Sequence, residues 1–492
     1  MQQTVAKGTK YAIAIARIAK SRWGPEFQHL RHLFTAVAAP RIDYAAIIWH
    51  RPGDTTTAPS ISQLRMLSSL QGRIMRSITG CFRTTAITAM EHETALISPQ
   101  WRLTSKILCT ATRMITSAEN HPIQKLISRA LKHGGPPYLS NLENLIKRFP
   151  NYIRQDMEHI AAYIRPPWWT PKASIEIPQT NKKEAAKNHQ ERLQQITTDD
   201  LTIYTDGSGY NGHIGAAIYS PTTETVKEKY VGTEETHNVY AAELTAIQMA
   251  TTLFEEKINE YRNVYIFTDN QAAIQAIGSP KHQSGQYIIE EILDTIDRIH
   301  EKSPTSTIHF EWVPGHEGIS GNERADQAAK KATTPNTTTP ATRMKSAQKR
   351  CIKTMANTKW KIEWNTGKAN ARRLRKMSKH PGTTTGPALY GALQKRKHVT
   401  WIAQLRTGHC HLNEYLYRFN KIETPECECG AEKETVDHFL LRCQLYDEER
   451  DMLRRKVGAE GMITSVLLGD RKIIKETVEY IEKTGRFRCE QG

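Results

Sequence analysis

The chain has 492 residues, a length that allows about three domains, and 38% of its residues are hydrophobic. Lys and Arg number 68 against 51 Asp and Glu, which gives a formal net charge of +17, and the mean hydropathy is −0.57. This composition is typical of a soluble, basic, globular protein, and because no run of about 18 apolar residues occurs, we predict no membrane span and no membrane partner.

The charge is unevenly distributed along the chain. Residues 1–198 contain 27 basic and 12 acidic side chains, whereas residues 199–330 contain 9 and 21. Residues 331–426 are basic again, with 20 against 4, and residues 427–492 contain 12 against 14. An acidic block between basic ones indicates an enzyme core whose carboxylates need cations, flanked by regions that bind a polyanion. Each basic cluster can equally be a solvated surface.

The chain divides into segments that differ in the spacing of their apolar residues, in their Pro content and in the alternation of strand and helix patterns. The predicted segments are residues 1–165, a helical region; 166–198, a linker with room for a short polar helix; 199–332, an alternating α/β domain; 333–341, a Thr/Pro linker; 342–426, a basic helical region; 427–443, a Cys/His module; and 444–492, a helical tail.

Acidic residues stand at the ends of two predicted strands in the α/β domain. Asp206 and Asp269 each follow a short hydrophobic strand pattern. If the strands are neighbours, both carboxylates lie at the edge where open α/β sheets bind ligands. Glu243, on the packed side of a predicted helix, and Asp326, near the start of the last helix, can reach the same crevice.

Four carboxylates in one crevice repel one another unless cations lie between them. Two Mg²⁺ ions about 4 Å apart, with Mn²⁺ as an alternative, are a common means of hydrolysing a phosphodiester bond. The pattern therefore predicts metal-dependent hydrolysis of nucleic acid.

The segment 199–332 resembles type 1 ribonuclease H in four motifs that occur in the family's order. The motifs are Tyr204-Thr-Asp206-Gly-Ser208, Ala242-Glu243-Leu244, Thr268-Asp269-Asn270-Gln271, and Trp312-Val-Pro-Gly-His316 through Gly321-Asn322-Glu323-Arg324-Ala325-Asp326. The resemblance implies a mixed five-stranded sheet with flanking helices. It also implies an endonuclease that cuts the RNA strand of RNA–DNA hybrids to 5′-phosphate and 3′-hydroxyl ends.

The same resemblance implies roles for individual residues. The implied metal ligands are Asp206, Glu243, Asp269 and Asp326. His316 would assist proton transfer or product release. The implied substrate contacts are Ser208, Gln271 and Asn322.

Two departures from the family pattern concern substrate binding. Asn238 stands where the family often has a Thr near the phosphate-binding pocket, and residues 278–285 are too few for the basic helical insertion of some members. We therefore expect the basic flanks to supply the phosphate contacts.

The C-terminal region contains Cys427, Cys429, His438 and Cys443 in the spacing C-x-C-x8-H-x4-C. Three thiolates and one imidazole suit tetrahedral Zn²⁺, and the Gly after the first pair allows a tight turn. The alternative is a group of reduced core cysteines around a half-buried histidine. The nearby His409, Cys410 and His411 could add ligands, although packing is the more ordinary role.

Basic stretches lie beside this cluster, at residues 372–376 and 395–397. Such a region predicts binding of RNA or of single-stranded nucleic acid. Trp360, Trp364 and Trp401 are either stacking surfaces or core residues.

The whole arrangement is similar to the C-terminal part of a non-LTR (LINE-type) retrotransposon reverse transcriptase polyprotein. Residues 36–49 and 70–80 resemble the region that follows the polymerase palm, and Thr407-Gly-His409 leads into the Cys/His cluster. No aromatic-x-Asp-Asp palm motif occurs in the sequence. The resemblance implies a truncated element without polymerase activity, with a separate polymerase-bearing retroelement protein as a partner.

We therefore expect a ribonuclease H that acts on RNA–DNA hybrids in the nucleus, with the cytoplasm as the alternative compartment. The competing hypothesis is a catalytically inactive retroelement remnant that binds RNA or hybrid through its basic flanks.

Overall fold

A computed structural model of the chain shows two compact units, Met1–Ile107 with Thr354–Gly492, and Leu108–Lys353. Across the part of the chain that it describes, no helix is both long enough and apolar enough to cross a membrane. The described residues are 2–52, 58–132, 141–154, 156–335, 342–367, 371–377 and 386–487.

The unit Leu108–Lys353 is built on a mixed sheet. Its strands are β1 (Ser174–Glu176), β2 (Asp200–Tyr210), β3 (His213–Ser220), β4 (Thr225–Thr233), β5 (Asn263–Thr268) and β6 (Thr307–Trp312). The strand order is β1-β6-β5-β2-β3-β4. β2, β3 and β4 form an antiparallel meander, whereas β5 pairs with both β2 and β6 in parallel, and β1 pairs with β6 in parallel. The predicted ribonuclease H-like fold, a mixed sheet with flanking helices, is confirmed, with six strands where five were expected.

Helices cover both faces of this sheet because side chains alternate along each strand. On one face, Leu201 and Ile203 of β2 join a core formed with helices Val239–Glu256, Gln271–Gly278 and Gln286–Lys302. On the other face, Tyr204 and Phe267 pack with Val313, Ile319 and Ala325, the last of these in the helix Ser320–Lys331. Each fully buried Ile or Phe contributes about 1.5–3 kcal/mol, so both faces hold the strand ends in fixed positions.

The segment 166–198, predicted to be a linker with room for a short polar helix, is part of the folded sheet domain. Its strand β1 extends the sheet to six strands, and its helix Lys182–Gln195 packs on the second face. Asn181 caps this helix by accepting from the backbone N–H of Glu184 at 3.0 Å. His189 is hydrogen-bonded to the Tyr204 hydroxyl at 2.9 Å, and Arg192 pairs with Glu311 at 2.9 Å.

The boundary predicted at residue 165 is also displaced. The division between the units falls inside the helix Pro99–Ile115, so residues 116–165 belong with the sheet. The buried Glu158 carboxylate accepts hydrogen bonds from the backbone N–H groups of Gly285, at 2.8 Å, and Lys345, at 2.6 Å. These contacts fasten the segment to the α/β domain. Further helices of this part are Ile123–Lys132 and Asn141–Arg148.

The other unit is helical, as predicted for the N-terminal and basic regions. Its helices before the α/β domain are Gln2–Ile18, Phe27–Leu33, Ala39–Ile42, Ala46–Trp49, Ala58–Thr79 and Ile87–Thr94, with a π-helical turn at Phe34–Ala38. The helices that follow are Lys345–Thr366, which begins in the α/β unit, then Arg372–Met377, Gly386–Tyr390, Arg396–Thr407, Asn413–Arg418, Val436–Leu441, Asp447–Gly461, Thr464–Leu467 and Ile474–Thr484, with a 3₁₀ turn at Gln444–Tyr446. Most of the predicted Thr/Pro linker, residues 336–341, lies outside the described residues.

A buried ion pair joins the two chain segments of the helical unit. Arg406 Nε lies 2.9 Å from Glu93 Oε2, and both side chains are at most 2% exposed. The Tyr390 hydroxyl also donates to this carboxylate. Burial lowers the solvent screening of such a pair, so loss of either partner leaves a buried unpaired charge that strongly destabilises the folded state.

Candidate functional site

The register of the two central parallel strands brings the first two acidic residues together. β2 and β5 pair residue by residue up to Thr205 opposite Thr268, so Asp206 and Asp269 follow at the same level of the sheet. The indole Nε1 of Trp312 donates to the backbone oxygen of Asp269 at 2.9 Å and fixes the end of β5.

Glu243 reaches the same place from the helix Val239–Glu256. A Cβ added to Gly207 would lie 2.4 Å from the backbone nitrogen of Glu243, so the helix approaches β2 closely only because a glycine follows Asp206. Asn238 begins this helix as its N-cap and accepts from the backbone N–H of Ala241 at 3.0 Å. The Asn that departs from the family pattern therefore has a structural task here.

One carboxylate oxygen from each of Asp206, Glu243 and Asp269 lies within 4.8 Å of the others. Asp206 is 7% exposed and Glu243 is 5% exposed. Oε2 of Glu243 has no hydrogen-bond partner among the described residues. A buried carboxylate oxygen without a partner is costly, and hard oxygen ligands in this number suit Mg²⁺ or Mn²⁺. The three side chains therefore fit divalent cations.

The electrostatics of the three carboxylates agree with this arrangement. Burial, followed by the charges of Asp269 and Asp326, raises the pKa of Asp206 to about 7. Burial and the charges of Asp206 and Asp269 raise the pKa of Glu243 well above its ordinary value, and the Asn270 side chain opposes this. Burial also raises the pKa of Asp269, while His316 lowers it. Cations between these groups would relieve the repulsion.

Asp326 lies near this group but is not one of the three. Its carboxylate pairs with Lys330 at 2.6 Å, one helical turn further along Ser320–Lys331, and its side chain is 24% exposed. It is close enough to raise the pKa values of Asp206 and Asp269. Its role as a fourth ligand stays a prediction.

His316 lies in the loop between β6 and the last helix, with a left-handed φ of 62°. A Cβ added to the preceding Gly315 would lie 2.4 Å from Asp269 Oδ2, so this loop touches the carboxylate group directly. The loop therefore brings His316 near the three carboxylates, close enough for its charge to lower the pKa of Asp269.

The three predicted substrate contacts occupy different environments. Ser208 is half-buried in β2 opposite Gly215, and Gln271 is exposed at the start of its helix. Asn322 is 4% exposed and its Oδ1 has no partner in the described chain. The sequence did not single out two further residues of the site. The Asn270 side chain, which directly follows Asp269, opposes the rise in the pKa of Glu243, and Lys330, four residues after Asp326, pairs with it.

The four predicted zinc ligands also lie together, in the helical unit. Their ligand atoms lie within 4.8 Å of one another, with 3.6 Å between Sγ of Cys427 and Sγ of Cys443 and 3.3 Å between Cys429 Sγ and His438 Nε2. A disulfide requires about 2.05 Å, whereas Zn–S bonds of about 2.3 Å in a tetrahedron place two sulfurs about 3.8 Å apart. The donor set therefore fits zinc.

Local backbone contacts position these ligands. Gly430 has a φ of 86°, and the turn is closed by the N–H of Gly430 donating to the carbonyl of Cys427 at 2.8 Å. Thr435 caps the short helix that carries His438, accepting from the His438 N–H at 3.0 Å. Of the three nearby candidates, His409 contacts Thr84 at 3.3 Å and is not part of the ligand group. Cys410 and His411 are not part of it either.

Fold and carboxylate geometry together define a ribonuclease H domain, and residues 198–334 match the family RNase H. This match supports ribonuclease H activity for the domain. A Pol polyprotein from equine infectious anemia virus (isolate 1369) is 38% identical over 140 residues, which is 28% of this chain and 11% of the viral protein.

A second relative extends beyond the nuclease. The retrovirus-related Pol polyprotein from type-1 retrotransposable element R1 of Popillia japonica is 31% identical over 220 residues, 44% of this chain and 80% of the relative. The chain belongs to this family of retrotransposon Pol polyproteins. The chain spans only about a tenth of the length of the viral relatives that it matches. A crystal structure of the prototype foamy virus protease-reverse transcriptase covers 28% of this chain and 21% of that chain, at 17% identity and a TM-score of 0.23.

Proposed function

We propose that the domain hydrolyses the RNA strand of RNA–DNA hybrids with the help of divalent cations, two Mg²⁺ ions or Mn²⁺ in their place. The observation that carries this proposal is the group of three buried carboxylates with an unpartnered Glu243 oxygen. Asp206, Glu243 and Asp269 would hold the ions, with Asp326 joining them once it leaves Lys330. The ions would supply charge neutralisation and a water of lowered pKa.

The proposed hydrolysis breaks one bond of the RNA backbone, and side chains of this chain assist it. The oxygen of water attacks the phosphorus, the bond from phosphorus to the 3′ oxygen breaks, and the products carry a 5′-phosphate and a 3′-hydroxyl. His316 would transfer a proton at the departing 3′ oxygen or assist product release, since its loop contacts Asp269. Ser208, Gln271 and Asn322 would hydrogen-bond the hybrid beside the carboxylates.

A second metal belongs to the proposal. Cys427, Cys429, His438 and Cys443 would hold a structural Zn²⁺, supported by the sulfur spacing of 3.6 Å. A closed set of four protein ligands leaves no open position, so this site would stabilise the C-terminal module rather than catalyse a reaction.

Partners and compartment complete the proposal. The basic flanks would bind RNA, single strands or the hybrid, because residues 331–426 carry 20 basic and 4 acidic side chains. A separate polymerase-bearing retroelement protein would supply the hybrid to this chain. The nature of the substrate, an RNA–DNA hybrid, favours the nucleus as the compartment.

The competing function is an inactive remnant that binds RNA or hybrid through its flanks. A matched pair of variants separates the two hypotheses. Glu243→Gln removes a buried carboxylate, whereas Glu290→Gln makes the same change at an exposed position of the helix Gln286–Lys302.

We expect the wild type and Glu290→Gln to cleave a labelled hybrid in Mg²⁺, and Glu243→Gln to bind it without cleavage. Equal cleavage by all three proteins would exclude the carboxylate site. Hybrid binding without cleavage by the wild type would favour the remnant.

A further inference from the structure

A cavity of about 480 Å³ lies in the helical unit, apart from the nuclease site. The turn before the helix Ile87–Thr94, the helix Arg372–Met377 and the stretch from Thr407 to Phe419 line it. Its size falls within the range of about 300–1,000 Å³ that small-molecule sites occupy. Neither the hydrolysis nor the zinc site uses these residues.

Positive charge dominates the walls of this cavity. Arg373 and Arg418 line it, and none of its described lining residues is acidic. Arg373 pairs through Nη2 with Asp437 at 3.1 Å, but its buried Nε has no partner among the described residues. Burial, followed by the charge of Arg418, lowers the pKa of His409, so this imidazole adds a neutral hydrogen-bonding group. The cavity is therefore suited to an anion.

Thr85, one of the residues that line the cavity, has a buried hydroxyl without a hydrogen bond to any described residue. Thr85 is 3% exposed, and its Oγ1 has no partner in the described part of the chain. The adjacent Thr84 differs, because its hydroxyl contacts Tyr415 and also lies 3.3 Å from His409 Nδ1. An unpaired buried hydroxyl destabilises the free protein, and a strand bound beside Thr85 would remove this cost by accepting from the hydroxyl.

An aromatic surface stands at the same cavity. Phe419 is 38% exposed, its ring centroid lies 4.9 Å from that of Tyr415, and the Arg418 guanidinium lies 5.8 Å from its centre. Exposed rings beside arginines are the platforms on which nucleic-acid bases stack. The tryptophans considered from the sequence do not serve here, since Trp360, Trp364 and Trp401 are 7%, 5% and 8% exposed.

We propose that this cavity binds one phosphate and the adjoining base of a single-stranded nucleic acid. Arg373 and Arg418 hold the phosphate, Phe419 stacks on the base, and Thr85 hydrogen-bonds the strand. A base paired inside a duplex must first lose its pairing and stacking to enter such a cavity, so the cavity favours a single strand. The proposal gives the flank binding a location and does not depend on hydrolysis.

The test uses the full zinc-loaded chain and a labelled 12-nucleotide single strand of mixed sequence, without Mg²⁺, in a salt series followed by fluorescence anisotropy. Arg418→Gln is expected to reduce the slope of log Kd against log salt by about 0.7, the value for one phosphate contact on a single strand. Arg455→Gln, an exposed site on the helix Asp447–Gly461 that does not line the cavity, leaves the slope unchanged. Phe419→Ala weakens binding about tenfold.

Thr85→Val distinguishes a binding role from a structural one, because valine keeps the shape and removes only the unpaired hydroxyl. We expect its Tm to equal or exceed that of the wild type while affinity falls about two- to tenfold. Wild-type affinity in both Thr85→Val and Arg418→Gln overturns the proposal. So do equal slope changes in Arg418→Gln and Arg455→Gln, and so does a wild type that binds no single strand. Hybrid cleavage by the same wild-type preparation reports separately on the nuclease.

Discussion

Replacing Asp206 by Asn is expected to stabilise the Mg²⁺-free domain. Burial, reinforced by Asp269 and Asp326, raises the pKa of Asp206 from 3.8 to about 7. Three pKa units at 1.36 kcal/mol each correspond to about 4 kcal/mol. Because the folded state holds this proton more tightly than the unfolded state, the free energy of unfolding falls as the pH rises from about 4 to 7. The Asn side chain does not titrate, so Asp206→Asn does not lose stability in this pH range. Its free energy of unfolding therefore exceeds that of the wild type by the full amount above pH 7.

Thermal unfolding of the full chain in Mg²⁺-free buffer measures the effect. A difference of about 4 kcal/mol corresponds to a Tm about 10 °C higher for Asp206→Asn at pH 8, and to no difference near pH 4. Asp199→Asn, an exposed carboxylate of the same domain, serves as the matched control and leaves the Tm unchanged. Mg²⁺ raises the Tm of the wild type and of the control but not that of Asp206→Asn. A variant less stable than the wild type at pH 8, or a wild type indifferent to Mg²⁺, refutes the reasoning.

Three further predictions concern separate features of the chain. Gly207→Ala should lower the Tm and abolish hybrid cleavage, because its Cβ would lie 2.4 Å from the Glu243 backbone nitrogen; unchanged cleavage would contradict this. Burial and the Glu363 charge raise the pKa of Glu91 to about 8, so the wild type loses stability as the pH rises from about 4.5 to 8. The urea midpoint of Glu91→Gln should therefore exceed that of the wild type at pH 9 and equal it at pH 4.5, and a parallel offset at both pH values would contradict the assignment. Metal analysis should find about one zinc per chain in the wild type and in Cys109→Ser and well below one in Cys443→Ser; full zinc in the last would exclude the site.

The proximity of the two central carboxylates could be predicted from the sequence, because it depends only on which strands are neighbours. Asp206 and Asp269 each end a hydrophobic strand pattern, and neighbouring parallel strands bring such ends together. The cluster of Cys427, Cys429, His438 and Cys443 could also be predicted, since the spacing of the four residues within one short segment limits how far apart they can lie. Asp326 was also named from the sequence, and its metal-binding role stays a prediction; its ion pair with Lys330 was not foreseen, because it depends on the rotamers of two side chains on one helix.

Non-local pairing explains what the sequence did not reveal. β1 has only three residues and is held by its register with β6, which no local pattern encodes. A short polar helix was allowed for in this segment, but Lys182–Gln195 buries only Ala185 and His189, so its composition does not reveal that it packs on the sheet. The cavity near Thr85 combines segments more than 280 residues apart, a juxtaposition that only the tertiary structure displays.

Cleavage of an end-labelled RNA–DNA hybrid by the full chain in Mg²⁺, with analysis of the product ends, tests the central claim most directly. We predict that the RNA strand is cut to 5′-phosphate and 3′-hydroxyl ends, that Asp199→Asn cuts equally, and that Asp269→Asn does not cut. A folded, zinc-loaded wild type that binds the hybrid in a salt-dependent way but leaves both strands intact would contradict the account.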